Sequence, residues 1–188
     1  MKLVLAITGA SGVIYGKRLL EELHVKKIET HLVISQAAKE IIKYEVGKSV
    51  ESLEDLADNV YGIDDWSSPI VSGSFKTDGM VIIPCSMKTL AGIASGFAEN
   101  VILRAADVTL KEKRKLILVP RETPLNSIHL RNMLDLSNQG VYILPAMPAF
   151  YHVPKCVEDL IDFVVGRVLD QLGVDHSLYR RWEDVELK

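Results

Sequence analysis

Apolar runs of strand length recur along this chain, each closed by glycine, serine or proline and followed by apolar residues at helical spacing. The runs are KLVLAI (2–7), THLVI (30–34), GMVII (79–83), KLILV (115–119) and VYIL (141–144). Helical patterns occupy 13–23, 36–46, 86–95, 99–112, about 125–138 and about 155–172. Strands that read as continuous apolar runs are buried on both faces. Their alternation with helices predicts an α/β fold with an open, mostly parallel sheet covered on both sides. Pro84 and Pro120 read as stops for the third and fourth strands, and Gly173 as the end of the last helix. Residues 48–77 have weak periodicity and turn chemistry at Ser-Pro and Ser-Gly-Ser, so they read as an irregular excursion. With 188 residues and 48% hydrophobic content, residues 1–188 are expected to form a single domain. The polar tail over 174–188 is expected to dock near the site or to serve a subunit contact.

Charge and composition exclude several functions. The net charge is −3 and the Lys and Arg residues are interleaved with acids, which argues against a nucleic-acid partner. No apolar segment reaches the roughly 18 residues that a membrane span needs. The N-terminal run ends at Gly9 without a cleavage signal, so the expected location is cytoplasmic. Cys85 and Cys156 are too few for a disulfide framework or a four-cysteine zinc site. The five His are scattered and Glu45 has no ligand-spaced partner, so metal-free chemistry is expected.

Ligands of open parallel sheets bind outside the carboxyl ends of the strands, which directs attention to TGASG, SQAAK, PCSMKT, PRETP and PAMPAFY. Gly9, Gly12 and Gly16 lie between a strand and a helix, as a phosphate or flavin loop or as a structural turn. A dinucleotide enzyme would carry an acid after the second strand, where Ser35 and Gln36 stand. Tyr151 and Lys155 spell the Y-x-x-x-K of short-chain dehydrogenases. Pro154 places Tyr151 on the loop before the helix, so the spelling is a coincidence. PCSMKT opens a helix with Ser86 and Thr89 at capping positions and reads as a cap or as a second wall of donors. Cys85 reads as a buried structural thiol.

Arg104 and Lys111 are two helical turns apart and share a face. Arg121 and Glu122 sit between Pro120 and Pro124 at the ligand edge, and Arg167 is expected to point toward the same edge. Cations with a carboxylate beside them suit a phosphate monoester and a proton donor.

In order along the chain, TGASGVIYGKRLL, VSGSF, PCSMKTLAGIASG, RAADVTLKE, LVPRETPL, LPAMPAFYH and VGRVLDQLG resemble the UbiX-type flavin prenyltransferases over essentially the whole length. The resemblance implies a Rossmann-like, flavodoxin-related fold, FMN, and transfer of a dimethylallyl group from dimethylallyl monophosphate to reduced FMN. The prenylated FMN would serve UbiD-type decarboxylases, and the protein would be a homo-oligomer, a dodecamer with shared active sites. It further implies FMN contacts at Gly9, Ala10, Ser11, Ser35, Ser86, Met87, Lys88, Thr89 and Arg121. The prenyl phosphate would be held by Lys111, Tyr151 and Arg167, supported by Ser72 and Arg104. Glu122 would handle protons, with Ser11 and Glu45 near the reacting edge of the flavin and Trp182 closing over the site.

The related flavin-dependent cysteine decarboxylases use a His before the third strand and P-x-M-N. Here residues 46–84 hold no His and Pro148 replaces the Asn. An FMN-carrying accessory protein is the remaining alternative, although a carrier has no use for a second phosphate pocket.

Overall fold

Alternate residues of the first strand point to opposite faces, and all after Lys2 are buried. Leu3, Leu5 and Ile7 face one side, Val4 and Ala6 the other. Met80 and Ile82 against Val81 and Ile83, and Leu116 and Leu118 against Ile117 and Val119, repeat the division. Two-sided burial requires a helical layer on each face. The computed structural model describes residues 1–47 and 49–184. Lys48 and the tail end 185–188, which the sequence reading included, lie outside the described residues.

The strands are β1 Lys2–Ile7, β2 Glu29–Ile34, β3 Asn59–Tyr61, β4 Gly79–Cys85, β5 Lys115–Pro120 and β6 Tyr142–Ile143. The helices are α1 Val13–Val25, α2 Gln36–Glu45, α3 Glu51–Glu54, α4 Met87–Ala94, α5 Val101–Lys111, α6 Ser127–Asn138 and α7 Val157–Leu172. The sheet runs β3-β2-β1-β4-β5-β6 with every pair parallel. This is the Rossmann order; without the short edge strand β3 it is also the flavodoxin order. α1, α2 and α7 pack on one face, and α4, α5 and α6 on the other. The order in which strands are added reverses between β1 and β4, so the crevice for a ligand opens above those two strand ends.

Two readings of the sequence are corrected. β4 does not stop at residue 83: it continues through Pro84 to Cys85, with a register shift between Ile82 and Cys85. An irregularity is where a strand interior tolerates proline. The excursion 48–77 contains α3, the edge strand β3 and a 3-10 turn at Pro69–Val71. Three residues, NVY, are too few to show a period, and their pairing to β2 through His31, Leu32 and Val33 is tertiary. Helix boundaries differ from expectation by at most two residues, because Ser35, Ser86, Asn100 and Asn126 cap α2, α4, α5 and α6. Gly173 ends α7 at φ 74° as read.

Gly16 lets α1 press onto the sheet: a Cβ there would meet the Ile83 carbonyl oxygen at 2.5 Å and Ile7 Cδ1 at 3.0 Å. Gly16→Ala should therefore cost about 2 kcal/mol through overpacking and lower Tm by roughly 4–8 °C in a thermal melt. Gly62→Ala, whose Cβ would find its nearest neighbour at 3.8 Å, serves as the control. Equal melting of the two variants would refute this account of α1 packing.

Candidate active site

The ends of β1 and β4 are joined by one buried hydroxyl. Thr8 Oγ1 donates to the Pro84 carbonyl at 2.8 Å and accepts the Ser86 amide at 2.8 Å, while the Thr8 amide donates to Pro84 at 3.2 Å. The sequence reading did not single out Thr8. Its signal was a hydroxyl residue closing an apolar strand at the first turn.

Ser86 then caps α4, its Oγ accepting the Thr89 amide at 3.3 Å and lying 3.0 Å from Thr89 Oγ1. Ser35 caps α2 by accepting the Ala38 amide at 3.2 Å, and Asn100 caps α5 by accepting the Leu103 amide at 3.0 Å. These three helix starts border a cleft of about 550 Å³, within the size range of small-molecule sites. Gly9, Met87, Lys88 and Glu122 complete its wall. The first amides of α2 and α4 have no intrahelical acceptor, which makes this wall suited to an anion. Gly9 is required by close approach: a Cβ would lie 2.5 Å from Ala37 Cβ on α2. Met87 and Ala10 are buried, whereas the Lys88 ammonium is exposed and 3.4 Å from Glu99. Asn100 and Ala37 were not anticipated either, Asn100 because a helix cap four residues past a glycine looks structural in sequence.

The glycine loop departs from expectation. Gly12 has φ 104° and precedes α1 without a side-chain cap of its own. Its amide and that of Val13 donate to Glu45 Oε2 at 2.8 and 3.2 Å. The amides at the start of α1 are thus satisfied by a carboxylate from the end of α2, and the anion-facing amides of the cleft belong to α2 and α4. Ser11 is exposed, and its carbonyl accepts Arg121 Nε at 2.8 Å. Arg121 and Glu122 leave β5 at the same edge. Glu122 borders both the large cleft and a second cavity of about 240 Å³ lined by Leu125, Met133, Pro145, Ala146 and Met147.

The remaining site candidates lie elsewhere on the chain. Ser72, Arg104 and Lys111 surround the 71–75 loop. Arg104 Nε donates to the Val71 carbonyl at 3.1 Å, and Lys111 Nζ would lie 2.7 Å from a Cβ at Gly73. Both cations face this loop, as the two-turn spacing implies. Lys111 ends α5, about 15 Å along the helix axis from the Asn100 cap at the cleft. Arg104 pairs with Asp107 at 2.6 Å and Lys111 with Glu112 at 2.5 Å. Tyr151 and Arg167 form a third group with Trp182. Arg167 is ten residues into α7 and lines the cavity over β6, which shares Pro145 and Met147 with the cavity that Arg121 and Glu122 border.

Tyr151 sits on the loop before α7 as Pro154 implied, in edge-to-face contact with Trp182 at 5.3 Å. Cys85 is fully buried, and burial raises its thiol far above the ordinary range, which makes it structural. Among the described residues no His, Cys, Asp or Glu cluster could hold a metal ion, and no helix is long and apolar enough to cross a membrane.

The family model described as Flavoprotein matches residues 1–169. The flavin prenyltransferase UbiX of Methanocaldococcus jannaschii is 56% identical over 185 residues, covering 98% of this chain and all of that one. The crystal structure of a dodecameric FMN-dependent UbiX-like decarboxylase from Escherichia coli O157:H7 is 53% identical with a TM-score of 0.95, covering 97% of this chain and 99% of that one. AnUbiX (PadA1), solved in complex with FMN and dimethylallyl pyrophosphate, is 50% identical with a TM-score of 0.95 and 96% coverage of both chains. Parallel sheet, capped cleft and near-complete alignment agree: the chain belongs to the flavoprotein family and, within it, to the UbiX-type flavin prenyltransferases.

Proposed function

We propose that this protein joins the dimethylallyl group of dimethylallyl monophosphate to reduced FMN, releasing phosphate and giving prenylated FMN. The observation that carries the reading is Glu122 at the junction of two cavities. One is walled by capped helix starts and the other mainly by apolar side chains. The first suits the flavin phosphate and its polyol chain; the second suits apolar surface and excludes water. Gly9, Ala10, Ser11, Ser35, Ser86, Met87, Lys88, Thr89 and Arg121 would hold FMN, with the buried Ala10 and Met87 contributing through backbone groups. When bound, reduced FMN supplies the nucleophilic ring nitrogen and the neighbouring carbon on which the new ring closes.

The chain's own groups do the rest. Breaking the allylic C–O bond gathers negative charge on the phosphate oxygens, so cationic donors tighten as the bond breaks. Lys111, Arg104, Tyr151 and Arg167, with Ser72, are the donors assigned to that phosphate, and Glu122 holds and returns the proton. Glu45, already accepting two amides beside Ser11, is placed to fix the first loop against the flavin edge.

These donors and Glu122 occupy three regions of one chain, so a complete site needs neighbouring copies. The dodecameric relative supports such an assembly for this chain. Ile128, Leu130 and Leu134 on α6, each more than half exposed, offer apolar surface for it. A cytoplasmic setting and delivery of the product to a UbiD-type decarboxylase complete the proposal.

Anaerobic incubation with reduced FMN and dimethylallyl monophosphate should yield an extracted flavin heavier by the prenyl group. Unchanged flavin mass with both the monophosphate and the diphosphate would leave only the carrier reading. Glu122→Gln should bind FMN normally and lose about 10²–10⁴ in turnover in a stopped assay; weak FMN binding with normal turnover would reassign it. Thr8→Val strands the Ser86 amide and leaves the Pro84 carbonyl with the Thr8 amide alone, and flavin titration should show FMN affinity falling about tenfold, with Thr8→Ser near wild type. Equal affinity in all three proteins would remove Thr8 from the site.

A further inference from the structure

Gly166, Arg167 and Asp170 lie on adjoining positions of α7, three and four residues apart. The Asp170 side chain is only 15% exposed, and its two oxygens meet four donors. Oδ2 accepts the Tyr179 hydroxyl at 2.6 Å and Arg167 Nη1 at 3.1 Å. Oδ1 accepts Arg181 Nη2 at 2.8 Å and His176 Nε2 at 3.1 Å. The Leu178 amide donates to His176 Nδ1 at 3.2 Å, so a neutral imidazole with its proton on Nε2 satisfies both contacts.

Three of the four donors come from the tail that Gly173 turns back onto the helix. The helix surface is bare where the tail lands. A Cβ at Gly166 would stand 2.6 Å from the Tyr179 ring and 2.7 Å from the His176 ring. From Tyr179 a chain of ring contacts reaches the loop before α7: Tyr179 to Phe163 at 4.9 Å, Phe163 to Tyr151 at 5.9 Å and Tyr151 to Trp182 at 5.3 Å.

We propose that Asp170, with Gly166, forms a dock for residues 176–182 and is a positioning residue for Arg167, Tyr151 and Trp182 in holding the prenyl phosphate. The inference rests on the phosphate-binding reading of those residues given above. Burial opposes the charge on Asp170, yet the hydrogen bonds from Arg181, Tyr179 and His176 hold its carboxyl at about 2. It is therefore ionised throughout the working pH range. One carboxylate beside two guanidinium groups leaves a net charge of +1 in the cluster.

The sign of one experiment separates positioning from simple electrostatics. If Asp170 only offset positive charge, Asp170→Asn would strengthen phosphate binding. If it positions, the same change frees Arg167 and the tail and weakens binding.

The test uses the full chain loaded with FMN, in a Trp66→Phe background where Trp182 is the remaining indole of the two. Asp170→Asn and Gly166→Ala should each raise KM for dimethylallyl monophosphate about tenfold. FMN affinity should hold, and Trp182 emission anisotropy should fall as the ring, already more than half exposed, leaves its contact with Tyr151. Tyr179→Phe, which removes one donor, should move the same quantities less and keeps the test decisive if Asp170→Asn fails to fold. An unchanged or lower KM in Asp170→Asn, or an unchanged Trp182 anisotropy in Gly166→Ala, overturns the proposal. A wild-type chain without prenyl transfer would instead sink the functional reading, and the dock would then stand or fall on the emission anisotropy of Trp182.

Discussion

The Thr8 hydroxyl, sealed between the ends of β1 and β4, fixes the one place where an open parallel sheet can take a ligand. Its hydrogen goes to Pro84 and its lone pair to the Ser86 amide, so the turn after β4 is set by the turn after β1. α4 starts from that turn, and Ser86 caps it. A buried hydroxyl with both roles filled is worth more than its net hydrogen-bond energy suggests, because losing it leaves the Ser86 amide without its partner and takes one of two donors from the Pro84 carbonyl.

Glu45 has a comparable effect on the other side of the crevice. By accepting the Gly12 and Val13 amides it supplies the cap that α1 lacks, and it ties the end of α2 to the first loop. A negative side chain at a helix start is favourable, and it competes with any anion seeking the same amides. The glycine loop is thereby tied down, and the helix starts that face the cleft are those of α2, α4 and α5. The three glycines serve three separate needs: close approach at Gly9, a left-handed turn at Gly12 and helix-on-sheet contact at Gly16.

Much of this was legible in the sequence because strand burial on both faces leaves an unmistakable pattern of apolar runs. Ser86 was legible as a cap, and Pro154 correctly kept Tyr151 out of the helix. What was not legible depends on tertiary pairing. β3 is too short to have a period, and Pro84 is carried inside β4 at a register shift that only the neighbouring strands reveal. Glu45 meets the first loop from more than thirty residues away, and nothing local marks it as a cap.

The pairing of the cations has a consequence for how a prenyl phosphate would be received. Arg104, Lys111 and Arg167 each hold a carboxylate in the single chain: Asp107, Glu112 and Asp170. Arg121 is different, since its Nε partner is the neutral Ser11 carbonyl. Exposed ion pairs are weak, so a doubly charged phosphate can compete for Arg104 and Lys111 at little cost. Asp170 is less exposed and has four donors, so it keeps Arg167 in place while that guanidinium offers its other nitrogens. Two adaptable cations and one fixed one would capture a small phosphate first and orient it second. Orientation then depends on the fixed member, which places the rigidity of the site in α7 and its returning tail.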